Sequence, residues 1–547
     1  MQHETHGVSS RYAPNKADTG RSNNRGVLVM TAGFFNFAIE QPDGLAVVDK
    51  RRQLTWAQFD ERVNRIAHVM LDAGIARGDH IAMLMGNRSE FSEVLGAAIK
   101  LGVQMTPVNY HFTGEEAAYV VENCDAKALI VDETYLAAGE HCATIPALRL
   151  KVVTGDVARG PFQPYEPAIA AASADRLPLD GEPGGFMLYT SGTTGRPKGV
   201  NRSMAPPGAT VEGLISMLAM MGQPLGVQPG GAHLLTGPLY HAAPLGFSSM
   251  AFNQGNTLIM MDKWTPEETL ELMTRWKITN THLVPTMFVR LLRLPDEVKA
   301  AFDPSHLQAV IHGAAPCPLW AKEQMIEWWG PVINEYYGAT EGGITTITAE
   351  EWLQHKGSVG KASVMFDVEI RNDEGDLMPV GETGTVYFRS KMSPNTFEYY
   401  KDEAKTKEAH LEPGVFTLGD VGRVDEEGYV WLTDRKKDLI ISGGVNIYPA
   451  EVEQALSTHP AIADAAVFGI PNEEWGEEVK AAVELLPGFK PSPELEAELI
   501  EHCRNNIAHF KCPRSVDFED ELPRHPTGKL YKRLLRDRYW QREARMI

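Results

Sequence analysis

The chain has 547 residues, too many for a single hydrophobic core, so two or more domains are expected. Its 43% hydrophobic and 23% charged side chains are ordinary for a soluble globular protein, and 72 acidic against 52 basic residues give a formal charge of −20. That balance excludes general nucleic-acid binding, which needs a basic face. Cys124, Cys142, Cys317, Cys503 and Cys512 are odd in number and form no CxxC pair, which suits a reducing, cytoplasmic setting. No run reaches the roughly 18 apolar residues of a membrane helix, and Leu214–Met221 reads as a short buried helix segment.

Residues 1–26 are polar and contain no apolar stretch to serve as a signal peptide, so a disordered tail is expected. Beyond them helix and strand alternate. Thr55 and Gln58 make a capping box before Trp56, Phe59, Val63, Ile66 and Met70, an apolar face at helical spacing. A strand at His80–Met85 follows, then helix Glu90–Leu101, strand Gln104–Val108, helix Glu115–Asn123 and strand Ala128–Asp132. Such alternation predicts parallel sheets with crossover helices. After a Pro- and Gly-rich zone come a strand at Phe186–Thr190, a helix at Pro266–Trp276 and a strand at Ala309–His312. Between about Val359 and Leu432 short strands and turn signals predict a β-rich subdomain. The last 110 or so residues, after Asp434-Arg435-Lys436-Lys437, have the length of a small α+β domain.

The sharpest feature is Tyr189-Thr190-Ser191-Gly192-Thr193-Thr194-Gly195-Arg196-Pro197-Lys198-Gly199, directly after a predicted strand. Its glycines let the backbone turn N–H groups onto an anion, while Ser191, Thr193 and Thr194 add hydroxyls and Lys198 adds a charge. These make a phosphate cradle. It is not a Walker A loop, because no Gly-Lys-Ser/Thr closes it.

This stretch resembles the phosphate loop of the adenylate-forming superfamily, which holds acyl-CoA synthetases, luciferases and peptide-synthetase adenylation domains. Further motifs follow in the family's order, and the resemblance runs from Leu54 to the end of the chain. Leu239-Tyr240-His241 resembles the aromatic gate beside the carboxylate, and Gly313-Ala314-Ala315-Pro316 the loop on one face of the adenine. Tyr337-Gly338-Ala339-Thr340-Glu341 resembles the segment that stacks adenine and supplies a magnesium ligand. Asp420 and Arg435 match the pair that binds the ribose hydroxyls, and Pro526-Thr527-Gly528-Lys529 the loop with the catalytic lysine.

The resemblance implies a large N-terminal domain over residues 27–434 that binds ATP and acyl group, a hinge at 435–437 centred on Lys437, and a small mobile domain over 438–547. It also implies the chemistry. A carboxylate attacks the α-phosphate of ATP, and the mixed anhydride so formed is later cleaved by the thiol of coenzyme A. Two anions must meet, so positive charge is needed where charge develops. Magnesium held by Glu341 with Thr194 would neutralise the triphosphate, Lys529 would bridge carboxylate and α-phosphate, and His241 would orient the carboxylate. Ser442, Gly443 and Gly444 resemble the turn lining the pantetheine tunnel, and Arg504 and Lys511 fall where related synthetases place basic contacts to coenzyme A.

Tyr240, His241, Gly342 and Gly343 are expected to border the acyl pocket, the two glycines leaving room for bulk. Met204, Met217, Met220 and Met221 would add adaptable apolar walls. These features point to a bulky apolar acid such as a fatty or steroid side-chain acid, with aryl acids open. An adenylation module or acyl-AMP ligase serving a separate carrier protein, and an inactive AMP- or acyl-CoA-binding regulator, are the rival readings. Whether the chain forms a homodimer is left open by the sequence.

Overall fold

The computed structural model describes residues 32–190, 197–202, 208–435, 438–443, 445–524 and 530–543. The expected tail, Ser191 to Gly195, Met204, Lys437, Gly444 and Lys529 lie outside the described residues.

Among the described residues two large sheets carry the N-terminal part. One has six parallel strands, in the order Gln163–Pro164, Leu150–Val153, Ala126–Val131, His80–Leu84, Gln104–Val108 and Gly185–Phe186. The other has nine, with a parallel centre of Ile333–Ala339, Ala309–His312, Asn280–Leu283, Ala232–Leu235, Thr257–Met260 and Leu45–Val48. Its edges close with antiparallel strands, Gly342–Ile347 and then Lys361–Ala362 on one side and Gln53–Thr55 on the other. Parallel strands covered by helices on both faces are shielded from water throughout, and Asn280–Leu283 and Ala309–His312 are buried along their whole length, the polar Asn280, Thr281, His282 and His312 included.

The predicted helices form where their caps stand. Thr55 and Gln58 complete a capping box at the head of helix Trp56–Asp72, whose buried face carries Phe59, Val63, Ile66 and Met70. Thr265 caps helix Pro266–Trp276, with proline in the first turn where its missing N–H costs nothing. The strand expected at Phe186–Thr190 is two strands. Gly185–Phe186 joins the six-stranded sheet, and Leu188–Thr190 turns away to pair antiparallel with Lys198–Asn201.

The β-rich subdomain is an antiparallel sheet of Phe366–Arg371, Gly384–Ser390, Val415–Val424, His410–Glu412 and Val430–Arg435. It packs on a core of its own around Phe388, Phe397 and Phe416. The C-terminal α+β unit sets strands Ile440–Ser442, Val445–Ile447, Gly476–Leu485, Ile462–Asn472 and Ser515–Glu519 against helices Pro449–Ser457 and Pro493–Asn506. The fold is thus the expected one: a large part built on parallel α/β sheets, a β-rich subdomain and a small α+β domain.

Candidate active site

In an open parallel sheet, ligands gather beyond the carboxyl ends of the strands. Here the strands ending at Leu235, Leu283 and His312, with Ile333–Ala339, open into one cavity of about 2100 Å³. Tyr240, His241, Gly313's neighbours Ala314 and Ala315, Tyr337, Gly338, Thr340, Glu341, Gly342, Gly343, Thr190, Lys198 and Asp420 all line it.

On one side of the cavity the Tyr337 hydroxyl donates to Oδ2 of Asp420 at 2.6 Å. Asp420 is 7% exposed and sits directly opposite Arg435 in the ladder between Val415–Val424 and Val430–Arg435. Tyr337, Asp420 and the backbone of Arg435 are therefore brought together, as expected. Gly313 is required sterically, since a Cβ there would lie 2.5 Å from the Tyr336 ring and carbonyl. Ala314 follows in the left-handed region at φ 67°, a strained conformation of the kind functional loops hold.

Glu341 is held by a residue the sequence reading missed. The Tyr399 hydroxyl donates to its Oε1 at 2.9 Å. Lys198 lies 5.3 Å from the centre of the same Tyr399 ring and 3.9 Å from the Asp402 carboxylate. Strand Lys198–Asn201 pairs antiparallel with Glu398–Tyr399, and Tyr399 carries that pairing to Glu341.

His241 stands at the N-cap of helix Ala242–Asn253, so the helix's start fixes its position. Its ring is 4.2 Å from Tyr240, which meets Tyr110 edge-on at 5.0 Å, and Tyr110 stacks on Tyr135 at 4.8 Å. Burial, helped by the Tyr110, Tyr135 and Tyr531 phenols, pushes the Tyr240 hydroxyl well above the usual phenol range. Beyond His241 the wall carries Phe247 stacked on His282 at 5.2 Å, with the Tyr336 hydroxyl 3.4 Å from His282 Nε2. Burial holds the His282 imidazole down to about 3, so it is neutral.

Residues 34–400 match the family described as AMP-binding enzyme, and residues 451–529 match the AMP-binding enzyme C-terminal domain. The chain belongs to the AMP-binding enzyme family. It is 31% identical over 507 residues to the long-chain-fatty-acid–CoA ligase FadD13 of Mycobacterium tuberculosis, covering 89% of this chain and 93% of that one. It is 32% identical over 533 residues to the fatty acid–[acyl-carrier-protein] ligase ScoC of Streptomyces coeruleorubidus, covering 95% and 98%. The crystal structure of ATP-bound MatB from Rhodopseudomonas palustris superposes with a TM-score of 0.79 at 28% identity, covering 93% of this chain and 99% of that one. This AMP-binding enzyme is thus an adenylate-forming ligase of the acyl-CoA synthetase type.

The C-terminal part of the AMP-binding enzyme enters the same cavity. Arg524 and Leu530, on either side of residues 525–529, bridge antiparallel, and both line the cavity with Tyr531. Arg293 Nη2 donates to the Ala463 carbonyl at 2.8 Å, tying the helix-rich N-terminal part to the small domain. The Ser442–Gly443 turn lies against Trp475, another residue the sequence reading missed. Gly443 has φ 58°, and a Cβ there would be 2.4 Å from the Trp475 ring. Arg514 in turn lies 5.3 Å over that ring, which is 41% exposed.

The geometry bears on three further expectations. Gly343 lines the cavity, but the space beside its Cα is taken by Phe388, which a Cβ would meet at 2.6 Å, so this glycine allows a tight approach to the β-rich subdomain. Met220 is 60% exposed on the solvent face of helix Val211–Met221, while Met217 and Met221 pack inward. Arg504 and Lys511 are engaged by Glu501 at 3.4 Å and Glu451 at 2.7 Å, and neither lines the cavity.

Proposed function

We propose that this enzyme activates a bulky apolar carboxylic acid, a fatty or steroid side-chain acid, as its acyl-adenylate and passes the acyl group to coenzyme A. The observation that carries the substrate class is an apolar arm of the cavity lining: Phe34, Phe59, Leu95, Ile99, Leu218 and Met221, which belong to one hydrophobic cluster with Leu239 and Ala242, the neighbours of Tyr240 and His241. Covering a long hydrocarbon there gains about 25 cal/mol for each Å² removed from water.

Adenine and ribose are assigned to the Gly313–Ala315 loop, Tyr337, Asp420 and Arg435, and the triphosphate to Ser191–Gly195 and Lys198. Magnesium fits Glu341: the carboxylate lines the cavity with Oε1 steadied by Tyr399. Bound there with Thr194, the ion supplies counter-charge to the triphosphate. The substrate carboxylate, oriented by His241, attacks the α-phosphorus. The bond from that phosphorus to the bridging oxygen breaks, and pyrophosphate leaves. Lys529 offsets the charge that develops between carboxylate and phosphate.

For the second step the domain of residues 438–547 turns about Lys437 to bring the Ser442–Gly443–Gly444 turn to the adenylate. The thiol of coenzyme A then attacks the acyl carbon, AMP leaves, and a thioester remains. The test is a panel of carboxylic acids, from acetate to long-chain and polycyclic acids, scored for AMP release with and without coenzyme A. Preference for acetate would overturn the substrate class. Adenylate formation without a response to coenzyme A would assign the acyl group to a carrier protein.

A further inference from the structure

Arg202 follows strand Lys198–Asn201 directly. Alternation along that strand puts Lys198, Val200 and Arg202 on one side and Asn201, bonded to Glu398 at 2.8 Å, on the other. The Arg202 side chain lies in the cavity wall. Its Nη1 reaches the Thr340 carbonyl at 3.5 Å and would be 3.9 Å from a Cβ at Gly342.

That long contact is its one hydrogen bond among the described residues, and none of their carboxylates comes within 4.0 Å of it. A guanidinium carries five N–H donors, and Arg202, half-buried in the cavity wall, has a protein acceptor for one of them. Burial pulls Arg202 below its ordinary range, and the nearby charge of Glu341 only opposes this in part. Glu341 itself is bonded to Tyr399 and forms no ion pair with Arg202, although both line the cavity. An arginine kept in this state is poised for an anion that arrives.

The neighbours identify the anion. Arg202 touches Thr340, feels the charge of Glu341, and shares its strand face with Lys198, the lysine of the expected phosphate cradle. We infer that Arg202 binds the β- or γ-phosphate of ATP and holds the pyrophosphate as it leaves. This rests on the acyl-adenylate reading above. The bond from the α-phosphorus breaks toward the pyrophosphate oxygen, and a fixed guanidinium on that group favours its departure. AMP and the acyl-adenylate lack those phosphates, so Arg202 contributes nothing to their binding.

The experiment is calorimetric titration of the full chain with Mg-ATP, Mg-pyrophosphate and AMP, for wild type, Arg202→Gln and Arg202→Lys, with melting temperatures alongside. Arg202→Gln should weaken ATP and pyrophosphate by about ten-fold or more, with Arg202→Lys intermediate, as for a lost charged hydrogen bond. AMP affinity should stay within about two-fold, and thioester formation from supplied acyl-adenylate should be unchanged. Equal loss of AMP and ATP would overturn the inference, as would ATP affinity unchanged with a raised KM for the acid, which would place Arg202 on the carboxylate. A wild type that binds no ATP would overturn the adenylate reading itself.

Discussion

The hydroxyl of Tyr337 and the carboxylate of Asp420 are 83 residues apart in sequence and 2.6 Å apart in space. The bond joins the central parallel sheet to the β-rich subdomain across one side of the cavity, and it presets the carboxylate that is assigned to the ribose. Tyr337→Phe keeps the ring but leaves the nearly buried Asp420 short of a donor. A hydrogen bond to a charged group contributes about 1.5–3 kcal/mol. The KM for ATP should therefore rise by about ten-fold or more, with a smaller change in kcat. Nucleotide titration checks this, and an unchanged AMP affinity would detach the pair from the ribose.

Gly343 has φ 67° and faces the fully buried Phe388 ring. Gly343→Ala should then cost about 1–3 kcal/mol of stability through strain and overpacking. The loss of kcat/KM should be the same for butyrate as for a long-chain acid. A melting curve and a two-substrate comparison suffice. A loss confined to the long acid would return Gly343 to the acyl pocket.

What was legible in the sequence is what short spacing carries. Thr55 and Gln58 cap a helix three residues apart, and the strand and helix runs around His80–Val131 follow from local apolar periodicity. The order of the nucleotide motifs was legible for the same reason. Tyr399 was not, because its partner Glu341 lies 58 residues away and nothing periodic links them. Neither was the break at Met187, where a continuous apolar run changes sheets, since burial alone does not tell one strand from two. Met220 shows the converse limit: an all-apolar run hides which side faces solvent.

Met221 stands at the end of helix Val211–Met221, packs against the core and lines the apolar arm. Met221→Trp should shorten that arm. Long or polycyclic acids should lose about 10–200-fold in kcat/KM, the scale of a few methylenes in an apolar pocket, while acetate and butyrate change little. A uniform loss over the acid series would show that the acyl chain runs elsewhere.

Burial holds His282 down to about 3 and, with Asn280 opposing, His233 down to about 4. Unfolding returns both toward an ordinary histidine value near 6.5, so between these limits the unfolded chain binds the extra protons. Stability should be full above about pH 6.5 and fall as the pH drops through 6.5 toward 4. His282→Gln loses the stack on Phe247 and should melt lower at pH 7.5, yet its melting temperature should fall less steeply toward pH 5. Parallel slopes for the two proteins would mean that His282 is not a source of the acid sensitivity.

The small domain should separate the two half-reactions. Arg524, Leu530 and Tyr531, which flank the Lys529 loop, line the cavity in this structure, and Arg293 holds the same domain through the Ala463 carbonyl. The Gly443 turn, by contrast, is backed by Trp475. Presenting both to one adenylate requires rotation, for which Lys437 is the assigned pivot. Lys529→Ala should slow adenylation by about 10²–10³, as loss of one donor to developing charge does, and spare thioester formation from ready-made acyl-adenylate. Lys437→Pro fixes φ and should do the reverse. Arg293→Ala loosens only the adenylation pose, so it should slow the first step modestly and leave the second at least as fast. Quenched-flow measurement of both steps in all three variants decides the matter, because a single rigid arrangement predicts equal losses in the two half-reactions for each variant.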